Sequence, residues 1–239
     1  MTEDRKIAFE NIRLVLLKYA KRLDFREMIK LLNDTGSHFC IPPTDYDRFE
    51  KVTPYSREVS LRYKTNYVNA SFVDRFITCQ NPKEDHFETF YSFISKSEIS
   101  LIIALEYNIS YLNDYEILIE NKIFRVDPID LRGRKIKRVV CKVWKDLNIM
   151  EYDDLMIFYN YLIQHDELKQ NYKTLIHCQA GVGRTGTFIF FILLSEMMSK
   201  GSQITPDLFI HIIIRLRMQR NFLVETVGQM GFLYSYFTD

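Results

Sequence analysis

The chain has 239 residues, 47% of them apolar, enough for one well-cored domain or at most two small ones. Its 32 basic and 31 acidic side chains leave a formal charge of +1, so no bulk field directs it to nucleic acid or to an anionic membrane. The longest apolar run, Phe188 to Leu194, is far below the ~20 residues needed to span a bilayer.

Four cysteines (Cys40, Cys79, Cys141 and Cys178) lie far apart with no Cys-x-x-Cys pair, so neither a zinc site nor a disulfide framework is expected. The charged N-terminal turns do not read as a secretory leader. A cytoplasmic, monomeric protein without metal, cofactor or membrane span is therefore expected.

In chain order, residues 5 to 32 carry apolar side chains at helical spacing (Phe9, Ile12, Leu16, Tyr19, then Leu23, Phe25, Met28, Ile29, Leu32). They predict two outer helices, with Asn33-Asp34-Thr35-Gly36 as the closing turn. Phe87 to Ile94 reads as a helix and Leu101 to Leu105 as a fully buried strand. Alternation between Glu106 and Asp130 predicts antiparallel strands. The basic run Arg132-Gly133-Arg134-Lys135-Ile136-Lys137-Arg138 can mark RNA contact or nuclear import, but reads better as a solvated strand edge kept unpaired by its lysines. Trp144, the only tryptophan, reads as a core residue on composition alone. Tyr152 to Leu162 predicts an amphipathic helix, and Asp207 to Gln219 another.

The most informative stretch runs from Ile176 to Thr187, Ile-His-Cys-Gln-Ala-Gly-Val-Gly-Arg-Thr-Gly-Thr. A short apolar strand, Tyr172 to Ile176, precedes it, and a buried helix starting at Thr187 follows. Three glycines in a strand-to-helix turn let backbone N–H groups point inward and form an anion nest, to which the helix N-terminus adds its positive end. The lysine of a nucleotide-binding loop is missing. Instead Cys178 stands at the mouth and Arg184 six positions later. Inward amides and a guanidinium favour a thiolate, and the same charges bind a phosphate dianion, whose oxygens Arg184 can grip with its planar fork. The expected chemistry is attack of Cys178 on phosphorus, giving a phosphocysteine that water then cleaves.

His-Cys-x-Ala-Gly-x-Gly-Arg-Thr-Gly resembles the signature of the protein tyrosine phosphatases at every fixed position. The resemblance implies an α/β fold, with a twisted mixed central sheet flanked by helices on both faces. It also implies a single phosphatase domain over 1–239, with N-terminal helices in 1–40 and the catalytic core in 41–239. The substrates implied are phosphotyrosyl proteins. Within the loop, Gln179, Ala180, Gly181, Val182, Gly183 and Arg184 would hold the phosphoryl group. His177 would order the loop, and Thr185 would donate its hydroxyl to the departing sulfur.

Further stretches carry the likeness. Asp47 to Tyr55 resembles the family's phosphotyrosine-recognition loop, so Phe49 would stack on the substrate ring. Lys51 stands where an aspartate often holds the substrate backbone, and cannot accept those hydrogen bonds. Asn66 to Ser71 and Phe76 to Pro82 resemble segments that support this loop. Trp144-Lys145-Asp146 lies where the family carries a mobile Trp-Pro-Asp loop, which makes Asp146 the candidate acid for a leaving oxygen with pKa ~10. Lys145 replaces the proline and could pair with Asp146. Val224 to Gln229 resembles a motif with two glutamines; Glu225 replaces the first, and Gln229 remains to position water. A substrate-binding module with little turnover and an RNA 5′-phosphatase are the competing readings. The eroded loops also resemble viral members such as those of polydnaviruses.

Overall fold

The computed structural model describes residues 1–111, 116–131 and 133–238. In chain order its elements are α1 (Glu3–Asn11), α2 (Arg13–Lys21), α3 (Phe25–Ser37), α4 (Glu58–Arg62), β1 (Ala70–Val73), β2 (Phe76–Gln80), α5 (Phe87–Lys96), β3 (Leu101–Ala104), β4 (Ile119–Glu120), β5 (Phe124–Leu131), β6 (Arg134–Cys141), α6 (Tyr152–Leu162), β7 (Thr174–Cys178), α7 (Gly183–Ser199), α8 (Pro206–Arg217) and α9 (Val227–Thr238). Short 3₁₀ turns precede α5 and β7.

The strands form one mixed sheet in the order β1-β2-β7-β3-β6-β5-β4. Its centre, β2, β7, β3 and β6, is parallel, and antiparallel neighbours flank both sides. Central strands are buried on both faces, which is why they read as continuous apolar runs. Period-two alternation still divides them. Leu101, Ile103, Ile176 and Cys178 join the large core shared with α1–α3 and α6–α9. Ile102, Leu175, Ile77 and Cys79 join the smaller core under α4 and α5. Helices therefore cover both faces, as the resemblance implied. Among the described residues no helix is long and apolar enough to cross a membrane.

Three local readings are corrected. The first N-terminal helix is interrupted at Ile12, so three helices stand where two were expected, with Leu23 (φ 57°) making the break before α3. Asp24 caps α3 by accepting from the Glu27 N–H at 3.3 Å. The turn expected at Asn33–Gly36 is helix. Gly36 serves close packing instead, since a Cβ there would lie 2.3 Å from Asn221 Oδ1 and 2.7 Å from the Tyr55 hydroxyl. The third concerns the basic run. Arg132 lies outside the described residues, but Arg134 to Arg138 belong to strand β6, paired with β5 throughout and with β3 from Lys137 onward. Arg138 is fully buried and donates to Asp127, its register partner on β5, at 2.7 Å. Arg134 donates to four carbonyls around the C-terminus of α5, those of Ile94, Ser95, Ser97 and Ile99. Arg134 and Arg138 thus satisfy internal acceptors and are not free for a phosphate backbone, while Lys135 keeps the exposed character expected of an edge.

Candidate active site

The turn from β7 into α7 lies at the C-terminal end of the parallel strands, where open α/β sheets leave a crevice for ligands. Cys178 ends β7, and Arg184 and Thr185 occupy the first turn of α7. The loop is shaped from behind by Arg220, which is 1% exposed. Its guanidinium donates to the carbonyls of Gly181 (3.1 Å) and Ala180 (3.2 Å), and also to Ser71 Oγ and Asn69 Oδ1. With their carbonyls drawn toward Arg220, Ala180 and Gly181 are held in a fixed course through the turn. Gly181 makes this course possible, with φ at +71° and a would-be Cβ only 2.1 Å from the Cys79 carbonyl oxygen.

Arg184 joins the turn to the Trp144–Asn148 loop. Its Nη1 donates to the Trp144 carbonyl at 3.1 Å, and its Nη2 lies 2.8 Å from Asp146 Oδ1. The side chain of Asp146 is 63% exposed at the mouth of a cavity of about 550 Å³ lined by Glu106, Tyr107, Lys142, Lys145, Gln179 and Arg184. The pairing of Lys145 with Asp146 anticipated from sequence is absent among the described residues, because Arg184 takes that carboxylate. Trp144 is buried, T-shaped against Phe188, with its indole N–H donated to the Asn148 carbonyl. It thus packs as core and also shapes the loop that carries Asp146.

His177 is fully buried. The Tyr111 hydroxyl and His177 Nε2 share a hydrogen bond of 2.6 Å, and burial holds the phenol protonated. That leaves Nδ1 facing Glu106 Oε1 at 3.6 Å, while Glu106 Oε2 lies 3.8 Å from Arg184 Nη2. Sequence reasoning missed Glu106 and Tyr111. The available signal was a carboxylate directly after the apolar run of β3. Thr185 Oγ1 is buried at the site without a hydrogen-bond partner among the described residues.

The loop around Phe49 is clamped to the same sheet end. Asp47 accepts from the Tyr67 hydroxyl and from Asn69 Nδ2, both at 2.7 Å. The Arg48 N–H donates to Gln80 Oε1 (2.8 Å), and its guanidinium to the Asn81 and Pro82 carbonyls. Gln80 pairs with Cys178 across the sheet, and the Asn81 N–H donates to the Cys178 and Gln179 carbonyls. The segments 66–71 and 76–82 thus act as supports. Phe49 (39% exposed) and Lys51 are left facing outward.

On the other flank, the Val224 N–H donates to the Val182 carbonyl (3.2 Å). The Leu223–Val224 backbone fits against Gly186, where a Cβ would lie 2.4 Å from Val224 N. Gln229 is fully buried with both ends of its amide used. Oε1 accepts from the Glu225 and Thr226 N–H groups, and Nε2 donates to the Asn148 carbonyl at 3.3 Å. The expectation that it is free to position water is therefore not met in this arrangement. Glu225 lies against Gly183, with Oε2 2.7 Å from where a Cβ would stand. Burial first, and then Asp146, push its carboxyl above the ordinary range, while Arg217 and Arg184 oppose.

The arrangement can hold a tetrahedral oxyanion between amides, a helix terminus and a guanidinium, with a thiol below and a carboxylate above. The protein-tyrosine phosphatase family model matches residues 43–116 and 107–239. Tyrosine-protein phosphatase 69D of Drosophila melanogaster is 27% identical over 216 residues, covering 73% of this chain and 14% of the fly protein. Tyrosine-protein phosphatase non-receptor type 20 of Rattus norvegicus is 24% identical, covering 89% of this chain and 58% of the rat protein. The chain thus spans less than two thirds of the length of these relatives. A solved structure of PTPN18 in complex with HER2-pY1196 phosphopeptides superposes with a TM-score of 0.72 at 17% identity, covering 94% of this chain and 96% of that one, which shows the shared fold. The chain belongs to the protein-tyrosine phosphatase family.

Proposed function

We propose that this chain hydrolyses phosphotyrosine on proteins through a phosphocysteine intermediate. The observation that carries this reading is the junction at Arg184, which stands in the first turn of α7, six residues after Cys178, and holds the Asp146 carboxylate at 2.8 Å. Cys178 attacks phosphorus while Asp146, as the acid, delivers a proton to the leaving phenolic oxygen. Arg184 and the amides of Gln179 to Gly183 stabilise charge on the equatorial oxygens. The S–P bond is then broken by water, whose proton passes to Asp146, and the thiolate is regenerated. His177, steadied by Tyr111, orients the loop backbone, and Thr185 turns its unpartnered hydroxyl to the sulfur as it departs. Phe49 offers a ring face to the substrate phenol, and Lys51 at the rim favours an acidic residue beside the phosphotyrosine.

Since protein groups supply all the positive charge, the reading needs no metal. A monomer in a reducing compartment such as the cytoplasm suits a working thiol. A viral source rests on the eroded loops alone. The test is release of phosphate from a phosphotyrosyl peptide in the presence of chelator, with loss of that release in Cys178→Ser. A second reading, capture of phosphotyrosyl proteins with little turnover, is favoured by the occupied amide of Gln229 and by Glu225. Retention of phosphopeptides by wild type without phosphate release selects it.

A further inference from the structure

We propose that the outer face of α2 docks on anionic lipid bilayers, with Lys18, Lys21 and Arg22 meeting phospholipid headgroups while Leu14, Val15 and Leu23 enter the interface beneath them. This gives the chain a place of action and stands independently of the phosphatase reading.

Helical geometry selects the face. At about 100° per residue, Leu14, Val15, Lys18 and Lys21 fall within an arc of roughly 120°, and Leu16 and Ala20 fall opposite it. Leu16 and Ala20 are fully buried in the core, whereas Leu14 is 71% and Val15 39% exposed. Lys18, Lys21 and Arg22 are exposed with them. The helix is not free to roll these leucines inward. Ile12, Leu17 and Tyr19 pack on the large core, and Arg13 is tied to Asp207 of α8 at 2.7 Å. Past the helix the chain turns at Leu23, with φ at 57° and the side chain 61% exposed. Neither water nor a left-handed backbone favours leucine there, so this residue breaks two local rules at once.

The charge pattern points to the occupant. Between Asn11 and Leu23 the sequence holds four cations and no acid. Asp24, the next acid, is engaged in capping α3. Arg13 has its partner in Asp207, but Lys18, Lys21 and Arg22 have no ion-pair partner among the described residues. The net charge of +1 gives no long-range field, so the attraction is local to this face. Leucines interleaved with lysines suit a bilayer better than a protein groove. Lysine is depleted from the centres of protein interfaces, whereas at a membrane its stem lies along the acyl chains and its ammonium reaches back to the phosphates.

The experiment is co-sedimentation of the full chain with phosphatidylcholine vesicles, with and without phosphatidylserine, at low and high salt. Wild type should bind only the vesicles containing phosphatidylserine and be released by salt. Each cation at an anionic surface strengthens partition about fivefold, so the triple variant Lys18→Ala, Lys21→Ala, Arg22→Ala should bind about 100-fold more weakly. Leu14→Ser should lose about tenfold. Because these side chains are exposed, melting temperatures should stay unchanged, as should phosphate release from a phosphotyrosyl peptide in solution. A control triple of other exposed lysines, Lys122→Ala, Lys135→Ala, Lys200→Ala, removes the same charge and should bind like wild type. Absence of wild-type binding overturns the proposal, and so does an equal loss in the control triple. A wild-type dimer in light scattering that Leu14→Ser dissociates, with no vesicle binding, overturns it in favour of a second copy of the chain.

Discussion

The phosphate loop and the Trp144–Asn148 loop differ in how they are held. The first is anchored from beneath by a buried arginine, by a glycine whose would-be Cβ meets a neighbouring strand, and by the packing of Gly186 against 223–224. The second is fastened at its upper end by three polar links, Arg184 to Trp144 and Asp146 and Gln229 to Asn148, with Asp146 and Leu147 open to solvent. The glycine-rich turn is thus built into the core, while the exposed Asp146 carboxylate is tied down only by a few polar links from the buried Arg184 and Gln229. Binding and turnover should therefore respond differently to substitution.

Cys178→Ser should break the turnover half alone: aryl phosphate hydrolysis falls by more than about 10⁴-fold, while phosphotyrosyl peptides are still retained in a pull-down. Asp146→Ala should lower kcat for phenyl phosphate by about 10²–10⁴-fold. It should cost far less with p-nitrophenyl phosphate, whose oxygen leaves readily. Equal losses on the two substrates would mean that Asp146 is not the proton donor. Gly181→Ala attacks the anchored side. Positive φ alone costs about 1–3 kcal/mol, and the clash with Cys79 adds to it, so the melting temperature and phosphopeptide binding should fall together. Lys145→Pro should sharpen the comparison most gently, by restricting φ before Asp146. A change in kcat within about fivefold, with unaltered peptide affinity, is expected.

The phosphate loop was legible because its chemistry is local. A strand, three glycines, a cysteine and an arginine lie within a dozen residues, and the family resemblance could be read from them. Glu106 and Tyr111 were not, because their meaning depends on β3 and β7 lying side by side, which brings them to His177 from more than sixty residues away. The basic run failed for a related reason. Lysines and arginines in alternation look like a wetted edge until the register of β5 places Asp127 opposite Arg138. Asp146 could be placed only by its distance from Cys178, since Lys145 had removed the proline that marks such a loop. Its partnership with Arg184 required coordinates.

Arg138 also donates to the carbonyl of Tyr111, the residue whose phenol steadies His177. A charge embedded two strands away from Cys178 is thereby tied, through a single tyrosine, to the imidazole of His177. Truncating that arginine to methionine would slacken the tyrosine's grip without touching any group that meets the substrate. The support of His177 would then be altered from two strands away.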